Sequence, residues 1–180
     1  MRIIAGKYRG KKLVAVQSLD IRPTEDRVRE AVFNILYSIS GNFEGKYVLD
    51  VFAGTGAFGL EALSRGAQKI CLIDKNIQTL QKNTALFEKE REAIEILRAD
   101  ISNLPHAKTA FDIVFSDAPY DLGLNEIALQ NLALKGFLKN GTLCIVETRN
   151  NEVLNLPETF HLTDERAYGM AKIRFYTFSV

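Results

Sequence analysis

From Tyr47 onward, short apolar runs alternate with stretches of helical period. The strand-like runs fall at 47–51, 69–73, 94–98, 111–116 and 142–146, each short and mainly apolar. Helical patterns fill 57–65, 76–91 and 124–134, with a shorter one at 101–107. Strands of this kind separated by helices form a parallel sheet covered on both faces. At the C-terminal end the style changes: Phe160-His161-Leu162-Thr163 and Lys172–Phe178 read as two strands joined at Tyr168-Gly169, a closing β-hairpin. At the other end, Arg2-Ile3-Ile4-Ala5-Gly6 and Lys11–Val16 read as two short strands around a Lys7–Gly10 turn. A helix follows the Arg22-Pro23-Thr24 corner, with Thr24 as its N-cap, Val28, Ala31, Val32, Ile35, Leu36 and Ile39 as its apolar stripe, and Gly41 as its stop. The predicted fold class is α/β: a doubly wound, mostly parallel sheet with a C-terminal antiparallel β-hairpin and a small N-terminal β-hairpin.

A chain of 180 residues, 47% hydrophobic, suits one domain with a full core, residues 1–40 forming a basic hairpin plus helix and 41–180 the remainder. No apolar run reaches a membrane span, no signal peptide is evident, and Cys71 and Cys144 sit alone in strand-like runs, as buried thiols do. A cytoplasmic monomer without a metal and without membrane contact is expected. The net charge of +1 conceals an asymmetry. Residues 1–29 hold eight Lys/Arg against three acids, +5, so the remaining fifteen bases and nineteen acids leave −4. A basic arm on a mildly acidic body suits either a phosphate-facing surface or a solvated hairpin.

Candidate chemistry begins at the first strand's end. Gly54, Gly56 and Gly59 spell G-x-G-x-x-G between a strand and a helix, where glycines permit a tight turn and close approach of a ligand to the backbone. Asp74 ends the next strand, twenty residues after Gly54, where an acid bonds ribose hydroxyls. The same loop serves nicotinamide and flavin cofactors, so the acids decide. Asp50 inside the first strand end would repel a pyrophosphate but suits an ammonium. Asp100, after the third strand, can bond an adenine amine, with the backbone of Ile101 against the ring; Asp100 is equally placed to cap a helix. An ammonium, a ribose and an adenine describe S-adenosylmethionine. Its expected contacts are Asp50, Phe52, Ala53, Gly54, Thr55, Gly56, Asp74, Lys75, Asp100, Ile101 and Asp117.

The fourth strand runs into Asp117-Ala118-Pro119-Tyr120, which resembles the Asp-Pro-Pro-Tyr motif of amino-methyltransferases. The exocyclic amine of a base is a poor nucleophile because its lone pair is delocalised into the ring. A carboxylate (Asp117) and a backbone carbonyl (Ala118) that accept its two hydrogens turn the lone pair toward an electrophile and stabilise the charge that develops. Pro119 biases Ala118 toward extended backbone, and Tyr120 offers a face for an extruded base. Ala118 stands where the motif has its first proline; the acceptor survives, and the stiffness of the turn is put in question.

Beyond these motifs, Arg2–Gly10, Arg22-Pro23-Thr24-Glu25-Asp26-Arg27-Val28-Arg29-Glu30 and Asp50–Gly56 are similar to the RsmD family, and the likeness spans nearly the whole chain. That resemblance implies a Rossmann-like class I methyltransferase acting on the N2 amine of a guanine in small-subunit (16S) rRNA, with an assembling 30S subunit as its partner. It also implies that the basic hairpin and the Arg22-Pro23-Thr24 loop border the RNA. Lys7, Arg9, Lys11, Arg22, Pro23, Thr24 and Arg27 are the expected substrate contacts. Three rivals remain at this point: a DNA adenine-N6 methyltransferase, a non-catalytic RNA-binding module, and an NAD-binding oxidoreductase. The last lacks a hydride-transfer constellation, since His106 and His161 lie outside the strand-end loops.

Overall fold

The protein is described here by a computed structural model covering residues 1–15, 23–120 and 122–180, with backbone only for 23–25. It divides into two compact units, Met1–Arg98 and Ala99–Val180. Its strands are mostly parallel and its C-terminal strands antiparallel, the α/β class that the alternation predicts.

In the first unit, α1 (Pro23–Ser40) leads to β1 (Tyr47–Val51), α2 (Ala57–Ser64), β2 (Lys69–Asp74), α3 (Gln78–Thr84), a 3-10 segment (Ala85–Ala93) and β3 (Ile94–Arg98). The strand order is β3-β2-β1, all parallel, in register Val48↔Ile70 and Ile70↔Ile94. Apart from their ends, β1 and β2 are buried throughout, as strands covered on both faces must be.

Three local expectations for this unit change. Pro23 opens α1, where its fixed φ suits a first helical position, so Thr24 falls inside the first turn instead of capping it. The apolar stripe is rotated: Ile39 is exposed, while Phe33, outside the expected stripe, is fully buried and stacks on Phe58 at 4.7 Å. The predicted helix 76–91 breaks at Phe87 (φ −115°, ψ 42°), whose ring is buried edge-on to Tyr8 at 4.9 Å. The carbonyl of the preceding Leu86 accepts from Lys11 Nζ at 2.6 Å instead of continuing the helix ladder.

The N-terminal arm forms less strand than expected. Among the described residues of the arm only Arg2 and Lys12 form a bridge, supported by Ile3 N–H to the Lys11 carbonyl and Gly10 N–H to the Ile3 carbonyl, both 2.9 Å; Val16 lies outside the described residues. The reason is a competing acceptor. Glu61, fully buried on α2, takes the N–H groups of Ile4 (2.7 Å) and Ala5 (3.0 Å), with Arg65 Nε at 2.7 Å neutralising it. Ser64 donates to the Ala5 carbonyl (2.6 Å) and accepts from Tyr8 N–H (2.9 Å). All eight residues of α2 are therefore buried, polar ones included. Gly6 makes this docking possible: at φ +80°, a Cβ there would lie 1.9 Å from the Ser64 carbonyl oxygen. Gly6→Ala is expected to cost about 3 kcal/mol of stability, read as a lowered denaturant midpoint with an unchanged slope.

The second unit holds β4 (Phe111–Asp117), α4 (Leu124–Leu134), β5 (Leu138–Arg149), β6 (Phe160–Tyr168) and β7 (Ala171–Phe178) in the strand order β4-β5-β7-β6. β4 and β5 are parallel; β7 pairs antiparallel with both β5 and β6. β5 extends well beyond the predicted 142–146, and the helix predicted at 101–107 shrinks to one 3-10 turn, Ile101–Asn103. Exposed β6 carries Asp164, Glu165 and Arg166, charges that discourage pairing by another chain's edge. Both cysteines are buried and unpaired, and burial pushes the Cys71 thiol up to about 12. No helix among the described residues is long and apolar enough to cross a membrane.

Candidate active site

The turn after β1 is built from backbone that most residues avoid. Phe52 (φ +58°), Gly54 (φ +54°) and Gly56 (φ +76°) all adopt left-handed geometry, Phe52 being the one non-glycine residue among those described to do so. Backbone bonds close the turn: Ala53 N–H to the Ile73 carbonyl at 3.0 Å and Gly56 N–H to the Ala53 carbonyl at 2.6 Å. Gly56 must also be bare because a Cβ would meet Leu80 Cδ2 at 2.9 Å, and Gly59 because one would meet Leu72 Cδ2 at 2.4 Å. The helix starts directly at Ala57, so its N-terminal amides face the turn.

Two predicted acids frame this turn from different depths. Asp74, at the end of β2, accepts from Gly54 N–H through Oδ2 and from Asn76 N–H through Oδ1, each at 2.8 Å. Asp50 is buried in β1 and accepts from Gly59 N–H at 2.9 Å. Burial, with the negative charge of Asp74 adding, pushes its carboxyl up to about 8, against the opposing effects of the Gly59 bond and the Arg29 charge. Because the folded value lies above the ordinary 3.8, Asp50's contribution to stability is complete below about pH 4 and is lost as pH climbs through 8. Asp50→Asn is expected to flatten that slope, measured as the difference in unfolding free energy between pH 5 and pH 8 in the two proteins.

Of the other expected cofactor contacts, Phe52, Gly54 and Thr55 are half-buried, Ala53 and Gly56 are buried, and Lys75 is exposed. Thr55 is tied down from behind: its carbonyl accepts from Asn83 Nδ2 at 2.8 Å, and that same buried amide clamps both backbone groups of Val14. In the second unit, exposed Asp100 accepts from Ser102 N–H at 2.9 Å, the capping role foreseen as its other option. Ile101 is buried, and its carbonyl takes Asn131 Nδ2 at 2.9 Å.

At the end of β4, Asp117 is exposed, Ala118 buried, Pro119 exposed and Tyr120 half-buried. The Tyr120 hydroxyl donates to Glu147 Oε1 at 3.0 Å, and the Arg149 guanidinium lies 5.5 Å from its ring centre. Burial first, then the Glu147 charge, raises the phenol above its ordinary value, so Tyr120 stays a donor. Asn125, Glu147 and Arg149 were not singled out in the sequence, where nothing marks them among other polar residues at element ends.

The basic arm is partly self-satisfied. Lys7 pairs with Glu90, whose carboxylate also takes the Tyr8 hydroxyl at 2.8 Å, and Lys11 is spent on the Leu86 carbonyl. Arg9 and Arg27 are exposed. Arg22 lies outside the described residues, as do the side chains of Pro23 and Thr24. No group of three or more His, Cys, Asp and Glu that could hold a metal occurs among the described residues.

An acid-framed glycine turn on a parallel α/β frame, together with an Asp-x-Pro-Tyr strand end, defines the class of Rossmann-like methyltransferases, and relatives and solved structures agree. The chain belongs to the RsmD family: the family described as "Conserved hypothetical protein 95" matches residues 1–177. Ribosomal RNA small subunit methyltransferase D of Haemophilus influenzae is 37% identical over 182 residues, covering 98% of this chain and 93% of that protein. The Escherichia coli K12 protein of the same name is 37% identical over 180 residues, covering 98% and 89%. A solved structure of a putative methyltransferase from Escherichia coli superposes with a TM-score of 0.85 at 34% identity, covering 100% of this chain and 98% of that one.

Proposed function

We propose that this protein transfers a methyl group from S-adenosylmethionine to the exocyclic N2 amine of a guanine in small-subunit rRNA, on an assembling 30S subunit in the cytoplasm. The observation that carries this reading is the Asp117-Ala118-Pro119-Tyr120 turn at the end of β4, in a chain whose full-length relatives bear the name of small-subunit rRNA methyltransferases.

The donor set fits the cofactor. Three acids, Asp50 inside β1, Asp74 at the end of β2 and Asp100 just after β3, follow successive strands, and the glycine turn itself carries no basic side chain to hold a phosphate. Asp74 would hold the ribose hydroxyls, and Asp100 with the Ile101 backbone the adenine; Asp50, buried and bonded to Gly59 N–H, would meet the ammonium end only if that cation drew off its proton; Phe52 to Gly56 and Lys75 would line the path. When bound, the cofactor supplies an electrophilic methyl on a sulfonium. The protein's task is then to present the amine. Asp117 and the Ala118 carbonyl would accept hydrogen bonds from its two N–H groups and aim the lone pair, Tyr120 would stack the base, and the Asp117 charge would offset positive charge on nitrogen until the amine sheds a proton, the methyl donor leaving as its neutral thioether. Exposed Arg9 and Arg27 are the simplest phosphate contacts. Lys7 and Lys11 would first have to release Glu90 and the Leu86 carbonyl.

The docked arm favours RNA recognised by shape. A sequence-reading DNA enzyme needs an element to enter a groove, and the arm, docked along α2, is not free to be one. Labelled cofactor offered to unmodified 30S particles, naked rRNA and duplex DNA tests the substrate class. Label in the particles supports the reading; label in DNA alone overturns it.

A further inference from the structure

The Asp117 turn lacks one of the two prolines of the motif that it resembles, and Ala118 has a soft φ where proline has a fixed one. Something else must hold the turn if it is to present two acceptors at a set angle. The structure contains such a device. Ser116, the residue before Asp117, is fully buried and donates its hydroxyl to Asn125 Oδ1 at 2.7 Å. Asn125, 2% exposed in the first turn of α4, donates Nδ2 to the backbone carbonyl of Glu147 at 2.9 Å. Glu147 lies beside Asp117 in the β4–β5 register, and its carboxylate receives the Tyr120 hydroxyl at 3.0 Å. The chain is thus gripped on entry at Ser116 and on exit at Tyr120, both grips ending on the same residue of β5. Arg149, two residues along β5, adds its guanidinium near the Tyr120 ring.

This is a costly way to build a strand end. A buried hydroxyl–amide pair contributes about 1 kcal/mol net when satisfied, and leaving one partner unmet costs more than that. An apolar pair would fill the same space without the risk. What the polar version adds is direction: each bond fixes an angle that apolar packing leaves loose.

We propose that Glu147 is a positioning residue for methyl transfer, bracing the Asp117-Ala118-Pro119-Tyr120 turn through the Tyr120 hydroxyl where the missing proline would have stiffened it. The inference rests on reading that turn as the amine-binding site. Glu147 acts through the Tyr120 hydroxyl, so removing either end of that bond has the same consequence.

A double-mutant cycle on unmodified 30S particles tests this, using wild type, Tyr120→Phe, Glu147→Ala and the double variant, with Glu147→Gln as the conservative rescue. Tyr120→Phe and Glu147→Ala should each lower kcat about tenfold, with KM for S-adenosylmethionine unchanged, and the double variant should fall no further. Glu147→Gln, whose amide oxygen still accepts, should stay within about twofold of wild type. Losses that multiply in the double variant, or wild-type kcat in Glu147→Ala, overturn the proposal. If Glu147→Ala does not fold, Glu147→Met carries the same cycle. A wild-type enzyme that methylates no guanine amine is a different failure, that of the functional reading itself.

Discussion

Replacing Asp117 with alanine is expected to lower kcat for methyl transfer by about 10²–10³-fold, the usual effect of removing one preorganised group that stabilises transition-state charge. Affinity for S-adenosylhomocysteine should fall much less than turnover, since Asp117 is only one of the expected cofactor contacts. The expectation follows from position. Asp117 ends β4 and is exposed, so shortening its side chain opens no cavity in the core and the variant should fold. The Ala118 carbonyl remains as one acceptor, which accounts for residual turnover. Single-turnover kinetics on 30S particles, with calorimetry of cofactor binding beside them, separate the two quantities; turnover equal to wild type removes Asp117 from the mechanism.

Asp74→Ala should act in the opposite sense. Each backbone amide that Asp74 accepts from, Gly54 and Asn76 at 2.8 Å, donates to a charged group, and such bonds contribute about 1.5–3 kcal/mol. One of them pins the glycine turn directly. With the turn loosened and the ribose hydroxyls deprived of their acceptor, the dissociation constant for S-adenosylhomocysteine should rise about 10–100-fold, while kcat at saturating cofactor stays near wild type. An unchanged dissociation constant by calorimetry would take Asp74 out of the cofactor site. The two variants together divide the work: one carboxylate serves the cofactor, the other the acceptor.

What could be read in the sequence follows from the range of the forces involved. β1 begins and ends at the predicted residues because a continuous apolar run has one economical fate in a covered sheet; β3 also keeps its predicted bounds, although Glu95 interrupts its run and none of its residues is buried. The glycine turn was legible for a similar reason, since left-handed backbone and close packing leave few alternatives at Gly54, Gly56 and Gly59. The arm was misjudged because its partners lie far along the chain. Glu61 and Ser64 look like the wet face of a helix, and nothing local says that residues 4–8 will cover them. Asn83 and Asn125 are hidden for the same reason: a buried amide is indistinguishable in sequence from an exposed one. Phe33 displaced Ile39 from the core because stacking on Phe58, not helical period alone, sets the face that α1 buries.

The central claim is that the acceptor is a guanine N2 amine held by the Asp117 turn. It is tested most directly by digesting 30S rRNA methylated with labelled cofactor to nucleosides and identifying the labelled product. The account predicts N2-methylguanosine; label in N6-methyladenosine, or in any nucleoside methylated at a ring atom, would contradict it.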